Sequence, residues 1–165
     1  MKTFKEFANE MAKQSEYTAD STDFEETLRF YVINPSYIKD EFKKNNKRLI
    51  RTVDNSFLLT NKNDEFLGGI YFSKMDKNGY IQIEESQSKL KSGFYSFVFP
   101  IILSTGDIKG ILSDKSLSKK AIKAYENLFK KNELDVMIYK NGTTAPFSTN
   151  ELLQKDNLVL IKDKK

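Results

Sequence analysis

Apolar positions recur first at helical spacing and later at strand spacing. Phe4, Phe7, Ala8, Met11 and Ala12 share one helical face, which predicts a first amphipathic helix. Phe24, Thr27, Leu28 and Tyr31 supply the face of a second, with Ser21 or Thr22 as its cap and Glu25 placed for a capping box. Asn34-Pro35-Ser36 ends it, because the residue before a proline avoids the helical region. A short third helical stretch is expected around Tyr37 to Phe42.

The middle of the chain reads as strands. Leu49 to Val53 and Ser56 to Thr60 are rich in β-formers, and Asp54-Asn55 between them is a turn dipeptide. Asn61 to Asp64 is a second polar turn. Phe66 to Phe72 comes next, with Gly68-Gly69 inside it as a bulge, a twist or a place where another backbone comes close. Asp76-Lys77-Asn78-Gly79 suits a hairpin turn, since Asn-Gly tolerates positive φ. Tyr80 to Glu85 completes an antiparallel meander.

Then the period changes. Gly93 to Leu103 is apolar nearly all round, as a buried helix should be; Pro100 kinks it or marks its first turn. Gly106-Asp107 breaks it, and Ile108 to Leu112 is a short strand. Ser116 is expected to cap the next helix, whose face is Leu117, Ala121, Ile122, Tyr125, Leu128 and Phe129. Ser113-Asp114 before it lines a cleft or simply turns. Leu134 to Tyr139 is a strand, Asn141-Gly142 a turn, Ser148 and Glu151 a capping box, and Leu158 to Ile161 a last strand. The end, Lys162 to Lys165, reads as a solvated tail.

Composition narrows the chemistry. With 165 residues, 39% hydrophobic and 30% charged, the chain has the balance of one folded domain rather than of a disordered segment. It holds no Cys and no His. Disulfides, thiolate or imidazole zinc sites and Ser–His catalysis are therefore excluded. No carboxylate cluster is spaced like a calcium loop, so no metal is expected. The net charge of +4 is a mild excess, not a nucleic-acid signature. Lys43, Lys44, Lys47, Arg48 and Arg51 form a basic run beside Phe42, but no nucleic-acid-binding motif accompanies it. No stretch reaches the roughly 20 apolar residues of a membrane helix, and the start lacks a signal-peptide core. A cytoplasmic location is expected, in the making cell or in an infected host, or in a virion.

The run Ser118-Lys119-Lys120-Ala121-Ile122-Lys123-Ala124-Tyr125-Glu126-Asn127-Leu128-Phe129 resembles the late helix of the GNAT family of acyl-coenzyme A N-acyltransferases, and the order of elements resembles that family over nearly the whole chain. The resemblance implies an α/β fold: a central, mostly antiparallel sheet flanked by helices on both faces, forming a single domain over 1–165. The family's phosphate loop carries Arg or Gln, two residues, Gly, one residue, then Gly or Ala. Here that place is taken by Ser88-Lys89-Leu90-Lys91-Ser92-Gly93-Phe94. One frame sets Gly93 at the last small position and Ser88 at the basic one; the other sets Lys89 at the basic position and Ser92 at the glycine.

The activity that the resemblance implies is that of an N-acetyltransferase moving an acetyl group from acetyl-CoA to an amine. Glu84 or Glu85 would be the base and Tyr125 the acid, with Lys89, Lys91, Ser92 and Gly93 on the coenzyme. Strand alternation puts Glu85 with Ile81 and Ile83, and Glu84 with Gln82 and Ser86. The alternative is a GNAT-like domain without catalysis that works through a protein partner. Met1 to Phe7 resembles the openings of tailed-bacteriophage proteins, which makes that alternative a virion component or a host-directed inhibitor.

Overall fold

The computed structural model describes residues 24–164. The first expected helix, over Phe4 to Ala12, and the caps Ser21 and Thr22 lie outside the described residues. The chain divides into two compact units: one runs to Ile70 and adds Gln87–Lys89, the other takes Tyr71–Ser86 and everything from Leu90.

The first unit opens with α1 (Phe24–Ile33), which buries Phe24, Thr27, Leu28 and Tyr31, the face its spacing predicts. A 3-10 turn at Pro35–Tyr37 stops it. An antiparallel meander continues the chain: β1 (Ile38–Lys44), β2 (Lys47–Thr52), β3 (Ser56–Asn61) and β4 (Phe66–Phe72). The expected helix over Tyr37 to Phe42 is thus a strand. Its signal is the turn: Asn45 and Asn46 both take positive φ, 51° and 60°, the two-residue conformation that closes a hairpin. That turn pairs Phe42 with Leu49 and Lys44 with Lys47, with one register irregularity between Ile38 and Asp40.

β2 and β3 are buried along most of their length. Arg51, only 4% exposed, lays its guanidinium 5.6 Å over the Phe57 ring and approaches Asp40 at 3.9 Å. Arg48 meets Glu41 at 3.5 Å and Asp64 at 3.2 Å, and Lys43 meets Glu41 at 3.8 Å. The basic run is therefore interleaved with carboxylates. The reason for Gly69 is a side chain and not a backbone: a Cβ there would sit 2.5 Å from Cδ1 of Phe24, whose ring stacks on Phe66 with centroids 6.0 Å apart.

The second unit holds the remainder of β4, then β5 (Tyr80–Ser88) as far as Ser86, α2 (Phe94–Leu103), β6 (Gly110–Leu112), α3 (Lys119–Lys131), β7 (Asp135–Lys140), β8 (Thr143–Pro146), α4 (Thr149–Leu152) and β9 (Leu158–Lys162). Its strands lie in the order β5-β6-β9-β7-β8. β5 and β6 are parallel, while β6–β9, β9–β7 and β7–β8 are antiparallel. β9 is the middle strand, and Val159, Leu160 and Ile161 are fully buried there. The result is an α/β fold with a mixed sheet.

Local chemistry explains several bounds. Asp76 accepts from the backbone N–H of Asn78 and of Tyr80 at 2.8 and 3.0 Å, and Gly79 has φ 81°, so the 76–79 turn forms as its sequence predicts. Pro100 lies inside α2, two turns from its start. The cap of α3 is Ser118 rather than Ser116: the Ser118 hydroxyl accepts from Ala121 N–H at 3.1 Å, whereas Ser116 N–H donates to Asp114 at 3.2 Å. On α3, Tyr125 and Leu128 are buried, but Phe129 is half exposed against Phe147. Ser148 caps α4 through Glu151 N–H, and the Glu151 carboxylate pairs with Lys140. β8 is a strand that its Thr-Thr-Ala-Pro sequence does not announce. In the expected tail, Lys162 ends β9 with its ammonium over Tyr80, and Lys164 donates to the Asn132 carbonyl at 2.9 Å; Lys165 lies outside the described residues. No helix among the described residues is long and apolar enough to cross a membrane.

Candidate functional site

The second unit contains a place where two parallel strands part. β5 pairs with β6 only at Tyr80–Gly110, Ile81–Ile111 and Gln82–Leu112. β5 then runs on to Ser88, but β6 has ended. Ser113 stays with β9 instead: its N–H donates to the Val159 carbonyl, and its hydroxyl accepts from Val159 N–H, both at 2.9 Å. One side-chain bond, Gln82 Nε2 to the Ser113 carbonyl at 3.3 Å, spans the last paired step. Past this point Ile83 is buried, Glu84 is exposed, Glu85 is half buried and Ser86 is exposed.

α2 and α3 bring two phenols to this part of the unit. Tyr95 and Tyr125 have ring centroids 5.3 Å apart, and Tyr95 stacks on Phe99 at 4.5 Å. The Tyr95 hydroxyl is 2.8 Å from Ser86 Oγ, and either oxygen can donate. Tyr95 is 9% exposed and Tyr125 only 1%. The two phenols also act on each other: Tyr125 lowers the pKa of Tyr95, and Tyr95 raises that of Tyr125. Burial pushes Tyr95 above its ordinary value, the bonds from Ser86 and Tyr125 offset part of this, and the Asp114 carboxylate adds to the rise. Burial lifts Tyr125 much further, helped by Tyr95 and by Asp114. Both phenols therefore hold their protons at neutral pH.

At the start of α2 a third set of groups is open to solvent. Gly93 precedes the helix with φ 83°, and no side chain caps it. A Cβ on Gly93 would meet nothing nearer than Ser96 Oγ at 3.6 Å, so it is the backbone conformation that asks for glycine. The first turn carries no acid, and Lys91, Ser92 and Gly93 are exposed. The N–H groups that begin a helix, with an exposed lysine and hydroxyl beside them, form a donor set that suits a phosphate. Lys89 belongs to the first unit and is occupied there: its ammonium pairs with Glu25 and lies 5.8 Å over the Phe66 ring, and its N–H donates to the Leu67 carbonyl at 2.8 Å.

Of the residues named from sequence, Glu84, Glu85, Tyr125, Lys91, Ser92 and Gly93 fall in the second unit and Lys89 in the first. Sequence reasoning misses Tyr95; it places Ser86 only on the face of Glu84, and Asp114 only as a residue that lines a cleft or turns. The one available signal is a lone tyrosine in a helix otherwise built mainly of Phe, Val and Ile. Among the described residues no three metal-ligating side chains converge.

No family model and no curated protein matches the chain. Among solved structures, the N-terminal domain of ribosomal-protein-alanine acetyltransferase from Clostridium acetobutylicum ATCC 824 is similar at 15% identity, over 75% of this chain and 95% of that one, with a TM-score of 0.41.

Proposed function

We propose that the second unit is a GNAT-like N-acetyltransferase site, taking an acetyl group from acetyl-CoA to an amine. The observation that carries the reading is the parting of β5 from β6 after three paired residues. Beyond that point β5 carries hydroxyls and carboxylates, and α2 connects the two strands. Attack on a thioester requires a base for the amine and an acid for the leaving thiolate. Glu85 or Glu84 fills the first role, and the hydroxyl cluster that includes Tyr125 holds the second proton. Lys91, Ser92 and Gly93, with the open start of α2, would hold the coenzyme phosphates.

The test is thermal unfolding with and without millimolar acetyl-CoA, at two salt concentrations. A ligand at a hundred times its Kd adds about 2.7 kcal/mol to the folded state. For a chain of this size that is a rise of roughly 5–11 °C. An unchanged midpoint at both salts overturns the reading.

A second reading rests on a specific observation. Lys89 is already paired with Glu25, and side chains stand where the family places loop glycines. These favour a GNAT-like domain that has lost acyl transfer and acts through a protein partner; a bacteriophage origin would rest on the resemblance of Met1 to Phe7 alone. An unmoved midpoint with acetyl-CoA would favour this second reading.

A further inference from the structure

The hydroxyl cluster has an order that the single residue Tyr125 does not explain. Tyr125 is 1% exposed, with its ring 5.3 Å from that of Tyr95. A leaving group cannot reach a phenol enclosed in this way. Tyr95 is one step nearer the surface, and its oxygen lies 2.8 Å from the hydroxyl of exposed Ser86. Of the two phenols Tyr95 is also the stronger acid, because burial lifts Tyr125 further above the ordinary value.

Resting on the acyl-transfer reading above, we propose that Tyr95 is the acid of this site, that its proton leaves through Ser86, and that Tyr125 is a positioning residue. When the tetrahedral adduct collapses, the carbon–sulfur bond breaks and its electron pair goes to sulfur. The Ser86 hydroxyl proton moves to the sulfur, giving the free thiol. The Tyr95 proton moves to Ser86 Oγ, so Ser86 ends neutral and the negative charge rests on the Tyr95 oxygen. Tyr125 donates to that oxygen and stabilises the charge. Solvent then returns the proton that the amine gave up. Asp114 sits on the opposite side of the balance: its carboxylate resists the phenolate and hastens its reprotonation.

The experiment compares two thioesters on the full chain, reading released thiol. Acetyl-CoA leaves as an alkyl thiolate that needs a proton; S-(4-nitrophenyl) thioacetate leaves as an aryl thiolate that does not. Tyr95→Phe should slow thiol release from acetyl-CoA by about 100-fold, the lower end for a general acid. Its effect on the aryl thioester should be several-fold at most, and the acetyl-CoA midpoint rise should persist. Ser86→Ala should show the same split between the two thioesters, and Ser86→Thr should restore acetyl-CoA turnover. Tyr125→Phe should cost less than Tyr95→Phe.

Equal losses on both thioesters, or a larger loss in Tyr125→Phe than in Tyr95→Phe, would overturn the assignment. Should Tyr95→Phe fail to fold, exposed Ser86→Ala decides alone: an equal effect on both substrates sinks the relay. A wild-type chain that neither binds acetyl-CoA nor releases thiol removes the acyl-transfer reading itself, and this assignment with it. One that does both while Tyr95→Phe is unaffected removes only the assignment.

Discussion

Gly69→Ala is a sharp probe of how the first unit is assembled. The new methyl would lie 2.5 Å from Cδ1 and 2.9 Å from Cε1 of Phe24, against ring atoms that cannot swing aside as a long chain end would. Phe24 is itself only 1% exposed, so its ring has little room to retreat. Overpacking of this kind costs about 1–3 kcal/mol. For a chain of this length that lowers the melting midpoint by about 2–12 °C. Gly69 does not occupy the left-handed region, so no backbone strain adds to the clash. Phe24→Ala alone should cost about 3–5 kcal/mol through the cavity it leaves. In the double variant the methyl added at position 69 occupies part of that cavity. The two losses should then fall short of their sum by about 1–2 kcal/mol, as expected for touching residues. Urea denaturation of the four proteins gives the cycle. Additivity within about 0.5 kcal/mol, or a Gly69→Ala variant as stable as the parent, would refute the packing described for α1 on β4.

The second unit yields two more expected outcomes. Ser118→Ala removes the bond to Ala121 N–H and should destabilise the chain by about 1 kcal/mol in chemical denaturation, whereas Ser116→Ala should change little. The buried phenols should make stability fall in alkali. Below pH 10.0, the ordinary tyrosine value, folded and unfolded chains hold these protons alike; above it the unfolded chain loses protons that folded Tyr95 and Tyr125 keep, so each pulls toward unfolding. Tyr125→Phe should flatten that decline by at most about 1.4 kcal/mol per pH unit, read as melting midpoint against pH.

Strongly periodic segments are legible from the chain alone. The buried face of α1, the bounds of β4 and the apolar α2 all come from spacing, because burial on one face or on every face writes itself into the sequence. Segments with little burial are not. β1 exposes most of Ile-Lys-Asp-Glu-Phe-Lys-Lys and has no clean alternation to distinguish it from a helix; only the paired asparagines after it carry the information. β8 has almost no buried side chain, and its pairing with β7 supplies the reason it is extended. Two serines two residues apart offer α3 equivalent caps, and geometry chooses the second. For the site, the late-helix tyrosine is visible as a motif, but which hydroxyl it bonds is a tertiary fact. Tyr95 and Ser86 are 9 positions apart on different elements, and no local pattern links them.

Two strands that end an ordering, β1 in the first unit and β8 in the second, bear on how this protein behaves in crowded solution. A sheet border offers unpaired backbone groups to any passing chain, and that is how fibrils are seeded. β1 meets the hazard with charge, since five of its seven residues are Lys, Asp or Glu, and with the register irregularity at Ile38–Asp40. β8 meets it by brevity, four residues long and closing on Pro146, which has no N–H to give. Colloidal solubility is thus written into the least hydrophobic strands, the same ones that a search for apolar periodicity reads worst.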